Sequence, residues 1–231
     1  MTTAMTSTTV GRPVDDSWPG PVVLSIIIST YDARDMVADC VQSIYENPPS
    51  EPYEIVLIDD ASTDDTSEVV RDRFPEVRLR RNAVNRHYTK SNNFAIDLSR
   101  GEYVYLLNND TIMLPHTLDR MIAFLREHPD AGAVGSKMIN PDGTTQWTIK
   151  SLPNLRSAFF GGRGMFTRMF PNNRFSQRRF LNLDRESSEP LVAGYISGAS
   201  KMMPRKVVDK VGYLDERLFY QIGRASCRER V

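Results

Sequence analysis

Two clusters in the sequence have residue types that could bind a charged ligand: Asp59-Asp60 and Asn108-Asn109-Asp110. Carboxylates accept hydrogen bonds from ribose hydroxyls or a base imide, and such charge-assisted bonds discriminate well in a water-poor crevice. Carboxylate and amide oxygens also suit a hard divalent cation, which can neutralise a diphosphate. Thr30-Tyr31-Asp32 forms a third polar group. Each group directly follows an apolar run, which places the chemistry at the carboxyl ends of buried strands. Open α/β sheets take their ligands at those ends. A plainer reading stays open for both acidic clusters. Ser62, Thr63 and Asp64 are good turn formers, and residues 108–110 could equally be a strand-end turn.

The elements that must hold these groups alternate between strand and helix. Residues 22–29 (VVLSIIIS), 54–58 (EIVLI) and 103–107 (YVYLL) are apolar runs suited to strands buried on both faces. Residues 77–79 and 133–138 complete five expected strands. Met36, Val37, Cys40, Val41 and Ile44 recur at helical spacing before Pro48-Pro49, and Leu118, Met121, Ile122 and Leu125 lie on one face of another helix. Asp64 is placed to cap a helix carrying Val69, Val70 and Phe74. Residues 92–98 read as a helix closed by Gly101. After a turn at Pro141-Asp142-Gly143, structure resumes with 194–199, 201–203 and a short helix over 204–211. The pattern predicts an α/β domain: a Rossmann-like, mostly parallel central sheet with flanking helices.

Composition narrows the function classes. In 231 residues, 29 Lys plus Arg balance 29 Asp plus Glu, so no global field favours a nucleic acid. No apolar run approaches the ~20 residues that cross a bilayer. Residues 1–21 read as a disordered leader without an apolar signal-peptide core. Cys40 and Cys227 have no metal-ligand spacing. A cytoplasmic location is the default. Residues 144–183 contain seven basic residues (Lys150, Arg156, Arg163, Arg168, Arg174, Arg178, Arg179), no acidic one, and six interleaved phenylalanines. That segment is either an acceptor-side loop packed through its rings or a peripheral contact with the inner membrane face. The final residues, 222–231 (IGRASCRERV), break the preceding pattern and match the in-frame translation of a common sequencing adapter, which makes them a non-native tail.

Four segments together carry a resemblance: SIIISTYDA, EIVLIDDASTDDT, GEYVYLLNNDT and SGASKMMPRKVVDKVGYLDERLF. In this order and spacing, residues 24–220 resemble the family 2 glycosyltransferases, especially their rhamnosyltransferase-like members. The resemblance implies a GT-A fold over 22–221 and transfer of a sugar, with inversion, from a dTDP- or UDP-sugar to an acceptor hydroxyl. Cell-surface polysaccharide or glycolipid synthesis is the implied setting. It gives Asp59 and Asp60 the nucleoside, with Asp60 the closer contact, and adds Thr30, Tyr31, Lys90, Asn108 and Asn109 to the donor site. Arg86 and His87 lie in the same segment, where a helix amino end favours phosphate.

Asn108-Asn109-Asp110 takes the place of the family's Asp-x-Asp, with Asp110 the ligand for Mn2+ or Mg2+ and the amide of Asn108 in the first aspartate's position. Gly198, Ala199 and Asp215 fall on the acceptor side, whose partner is a glycan or a lipid-linked acceptor. In the family an acidic pair follows soon after an aromatic run like Leu218-Phe219-Tyr220. Here Gln221-Ile222-Gly223 stands instead, so the resemblance implies a chain truncated before its general base and inactive as it stands. Two other readings remain at this point. One is a nucleotide-sugar-binding module without activity. The other is a phospho-acceptor signalling domain, which would want its acidic pair after the first strand and not the second.

Overall fold

The computed structural model describes residues 20–146, 149–150, 190–193, 195–217 and 229–230. The chain forms two compact units, Met1–Ser136 with Gly198–Val231, and Lys137–Ser197. In the larger unit the elements run β1 (Leu24–Thr30), α1 (Arg34–Glu46), β2 (Tyr53–Asp59), α2 (Thr66–Arg73), β3 (Arg78–Arg81), α3 (His87–Leu98), β4 (Tyr103–Asn108), β5 (Thr111–Ile112) and α4 (Thr117–Glu127). The smaller unit holds β6 (Ile149–Lys150) and β7 (Tyr195–Ile196), an antiparallel pair. The larger unit resumes with β8 (Ser200–Pro204), α5 (Arg205–Val211) and β9 (Glu229–Arg230), which pairs with β5.

The main sheet has the order β3-β2-β1-β4-β8. Its first four strands are parallel and β8 is antiparallel to β4. The mostly parallel sheet expected from the apolar runs is therefore present. All seven residues of β1 and all seven of β2 are buried, as strands covered on both faces must be. Leu24, Ile26 and Ile28 belong to the cluster containing Val37, Val41, Ile44, Leu118 and Met121, while Ile27 belongs to the other cluster, with Ala95, Ile96 and Val208. Each such side chain, fully removed from water, contributes about 1.5–3 kcal/mol.

Several expectations are corrected. Residues 133–138 do not form a strand: only an isolated antiparallel bridge joins Val134 to Met202, and the fifth place in the sheet goes to β8. The alternating burial of β8 (Ser200, Met202 and Pro204 in) fits an edge strand better than the unbroken apolar pattern sought in the sequence. Helix α3 begins at His87 and not Asn92. Its first turns bury Thr89, Ser91, Asn92 and Asn93, polar residues that hide a helix from any search for apolar periodicity. The residue at the N-cap of α2 is Asp65, and Asp64 instead accepts from the N–H of Thr66 at 3.1 Å. The basic-aromatic stretch beyond residue 150 lies outside the described residues.

Gly101 does not close α3, whose C-cap is Ser99. It fits the amino edge of the sheet. Its N–H donates to Ser25 Oγ at 2.7 Å, and an added Cβ would lie 2.5 Å from Ser25 N and 2.9 Å from the Leu24 carbonyl carbon. Beside it the fully buried Glu54 carboxylate accepts from Ser25 Oγ at 2.6 Å, Arg78 Nη1 at 2.6 Å and Arg100 N at 2.7 Å. Backbone cannot yield as a flexible side chain can. Gly101→Ala should therefore destabilise the protein by about 2–3 kcal/mol, the upper range for overpacking. A urea midpoint unchanged from the parent's would show that the two segments can separate at no cost.

Candidate functional site

The polar groups meet at the carboxyl ends of β1, β2 and β4. Register places Thr30 opposite Asp59 and Ser29 opposite Asn108. Two bonds fasten the strand ends: Asp60 N donates to Thr30 O at 2.8 Å, and Asn109 Nδ2 donates to Thr30 Oγ1 at 2.9 Å. Thr30, Asp59 and Asp60 are fully buried, and Asn109 and Asp110 nearly so. Tyr31 and Asn108 are partly exposed.

The two neighbouring aspartates are saturated by the protein itself. Asp59 accepts from Ser62 N at 2.8 Å and from the Ser67 hydroxyl, which fixes the turn into α2. Asp60 Oδ1 accepts from Asn82 Nδ2 at 2.7 Å, Arg86 N at 2.8 Å and Ser91 Oγ at 2.8 Å, and its Oδ2 accepts from His87 N at 2.8 Å. A helix amino end does attract an anion here, but the anion is Asp60. His87 starts the helix with φ of 66°, a left-handed conformation that costs a non-glycine residue about 1–2 kcal/mol. The bond from its N–H to Asp60 offsets that cost. Among the described residues these carboxylates bond to the turn into α2 and to the start of α3. Arg86 is exposed, and Lys90 is half-buried one turn into α3.

Asp110 is the opposite case. Its carboxylate is 5 % exposed, yet Oδ1 has no hydrogen-bond partner, and the neighbouring Thr111 Oγ1, fully buried, has none either. Burial pushes the Asp110 pKa up, against a smaller opposing effect from an Asn108 side-chain hydrogen bond. A carboxyl group with a raised folded-state pKa stabilises the fold only while protonated. That stability is lost as pH rises through the raised value, where ionising Asp110 becomes a cost to the fold. An orphaned buried carboxylate oxygen fits a hard cation. Among the described residues no group of three or more His, Cys, Asp or Glu could close a cage around one.

The expected acceptor-side residues approach α3. The Gly198 carbonyl accepts from Tyr88 Oη at 3.3 Å, and Ala199 O accepts from Asn108 N at 2.9 Å. A Cβ on Gly198 would meet only Tyr88 Oη, at 3.6 Å, so the backbone carbonyl and not a steric need ties Gly198 in place. Asp215 is exposed and paired with Arg217 Nη2 at 2.7 Å. Sequence reasoning missed the bonds of Asn82, Ser91 and Asn93: Ser91 and Asn93 are buried polar residues of α3, and Asn82 directly follows β3, outside any helix. Among the described residues no helix is long and apolar enough to cross a membrane.

The sequence model described as Glycosyl transferase family 2 matches residues 25–212. Over 221 residues the chain is 26 % identical to the N-acetylglucosaminyl-diphospho-decaprenol L-rhamnosyltransferase of Mycobacterium tuberculosis, a match that covers 90 % of this chain and 70 % of that protein. Two solved structures share its fold. The mannosyltransferase PcManGT from Pyrobaculum calidifontis in complex with GDP-Man and Mn2+ aligns with a TM-score of 0.57 at 19 % identity, over 89 % of this chain and 50 % of that one. S. aureus TarS 1-349 in complex with UDP aligns with a TM-score of 0.56 at 20 % identity, over 87 % and 52 %. The chain thus spans about half of each solved chain, and it spans 15 % of a Sinorhizobium fredii relative.

The Asp60 network yields a stability prediction. Asp60→Ala removes one buried acceptor set and leaves several donors unpaired, at a cost of about 3 kcal/mol or more. Urea unfolding checks the value, and a loss below about 1 kcal/mol would mean that the Asp60 bonds do not hold residues 82–91.

Proposed function

This chain belongs to glycosyl transferase family 2, and from that premise we propose that it takes part in moving a sugar from a dTDP- or UDP-sugar to an acceptor hydroxyl. The main sheet is of the GT-A type. The observation that carries the reading is the buried, unpartnered Asp110 Oδ1, two residues past the end of β4, whose last residue Asn108 pairs with Ser29 of β1 beside the end of β2. A nucleotide diphosphate lies across those strand ends. Thr30, Tyr31, Lys90, Asn108 and Asn109 line the donor side, and Asp59 and Asp60 shape it from beneath. Asp110 holds Mn2+ or Mg2+, with Asn108 as a neutral second oxygen donor.

The bound cation supplies neutralisation of the diphosphate as it leaves. The acceptor oxygen forms a bond to the anomeric carbon while the sugar–phosphate bond breaks and its electron pair departs with the diphosphate. The hydroxyl proton passes to a general base, a role given to none of the residues above. Gly198, Ala199 and Asp215 lie toward the acceptor, a glycan or lipid-linked molecule. The decaprenol-linked substrate in the name of the mycobacterial relative supports the lipid-linked choice; an acceptor of that kind would bring the chain to a membrane surface.

Calorimetry with UDP, with and without Mn2+, tests the donor site. Mn2+ should tighten UDP binding roughly tenfold or more, about 1.4 kcal/mol. Asp110→Asn should abolish that enhancement and also raise the metal-free unfolding midpoint at pH values above the Asp110 pKa, because it removes a carboxylate with one buried, unpartnered oxygen. UDP binding that a chelator leaves unchanged would refute the metal role, and an absence of UDP and dTDP binding would refute the donor site.

A further inference from the structure

Helix α3 touches both sides of the site. At its start it is held by Asp60 through Arg86 N, His87 N and Ser91 Oγ. Within it, Asn92 Nδ2 donates to Ser29 Oγ on β1 at 3.0 Å. One residue further on, Asn93 faces a segment 121 residues away in sequence. Its Nδ2 donates to the Leu214 carbonyl at 2.9 Å and to Glu216 Oε1 at 3.1 Å, and its Oδ1 accepts from Leu214 N at 3.0 Å. Asn93 is 5 % exposed, so these bonds form largely out of competition with water. One turn later on the same helix, Asp97 hydrogen-bonds the Tyr213 side chain.

A helical asparagine that satisfies both backbone groups of one distant residue is a specific device, since an apolar residue there could pack but could not fix the turn's register. Residues 213–217 are otherwise mostly exposed, so little apolar burial is available to hold them. We infer that Asn93 is a positioning residue that fixes the 213–216 turn to α3, so that order in this acceptor-side turn is coupled to occupancy of the strand-end site. The coupling rests on the donor-site reading above; the tether itself does not. Nucleotide that settles against the half-buried Lys90 restrains the first turns of α3, and the rigid helix carries that restraint to Leu214.

Amide hydrogen exchange of the full chain, measured with and without UDP and Mn2+, tests this. In the parent the Leu214 amide should exchange more slowly than the exposed amides of Asp215 and Glu216, and UDP should slow it further. Asn93→Ala should speed Leu214 exchange roughly tenfold and remove its response to UDP, while UDP affinity stays within about twofold and β1 and β2 amides are unaffected. Asn93→Asp keeps the Oδ1 acceptor and the side chain's size but turns the Nδ2 donor into an oxygen facing the Leu214 carbonyl and Glu216, so it should leave Leu214 protection well below the parent's, which a loss of packing alone would not predict. The inference is overturned if Leu214 is as fast as its neighbours in the parent, a measurement that needs no variant to fold. It is overturned equally if both variants match the parent, or if UDP binds the parent without slowing Leu214. A parent that shows Leu214 protection but binds neither UDP nor dTDP overturns the donor-site reading and the coupling, and leaves only the tether.

Discussion

The site depends on one buried anion. The Asp60 carboxylate lies at the end of a central strand, fully removed from water, and draws Asn82, Arg86, His87 and Ser91 around itself. A charge in that position is tolerable only because it is completely hydrogen-bonded, including by two backbone N–H groups at a helix start. The bonds fix where α3 begins and hold His87 in its left-handed conformation. From that anchored start α3 reaches Ser29, the Gly198 carbonyl and Leu214.

Asp60 and Asp110 show how one residue type can serve opposite ends. Both sit at carboxyl ends of parallel strands and both are buried. Asp60 has all the donors it needs and stabilises the structure. Asp110 has an oxygen with no partner and a pKa raised by desolvation. A group left in that state costs stability, and a fold retains such a cost where a ligand relieves it. Asn108 fits this balance. Its amide offers a hydrogen bond without placing a second negative charge beside Asp110.

The order of the sheet gives these groups a common edge. Strand β1 lies between β2 and β4, so residues 59–60 and 108–110, far apart in sequence, flank the end of a single strand. On the outer side of β4, antiparallel β8 brings Ala199 to Asn108 through a backbone hydrogen bond. The donor-side clusters and the SGA segment are thereby neighbours by backbone pairing alone.

The strands β1, β2 and β4 and the helices α1 and α4 were legible in the sequence because they are apolar and periodic, and burial is what writes that pattern. The strand ends followed, since polar residues begin where those runs stop, and with them the meeting of Thr30, Asp59, Asp60 and Asp110 near those ends. Family membership was equally legible, from four segments in order. Other features were not. The early start of α3 is written in buried threonine, serine and asparagine, whose stability comes from partners elsewhere in the chain and not from spacing. Strand β8 replaced residues 133–138 at the sheet edge because an edge is chosen by pairing, and pairing has no local code. Whether a buried carboxylate is an anchor or an open ligand depends on how many donors surround it. Asp60 and Asp110 look alike in sequence, and only the donors brought by tertiary contacts make one a structural hub and leave the other with an unfilled oxygen.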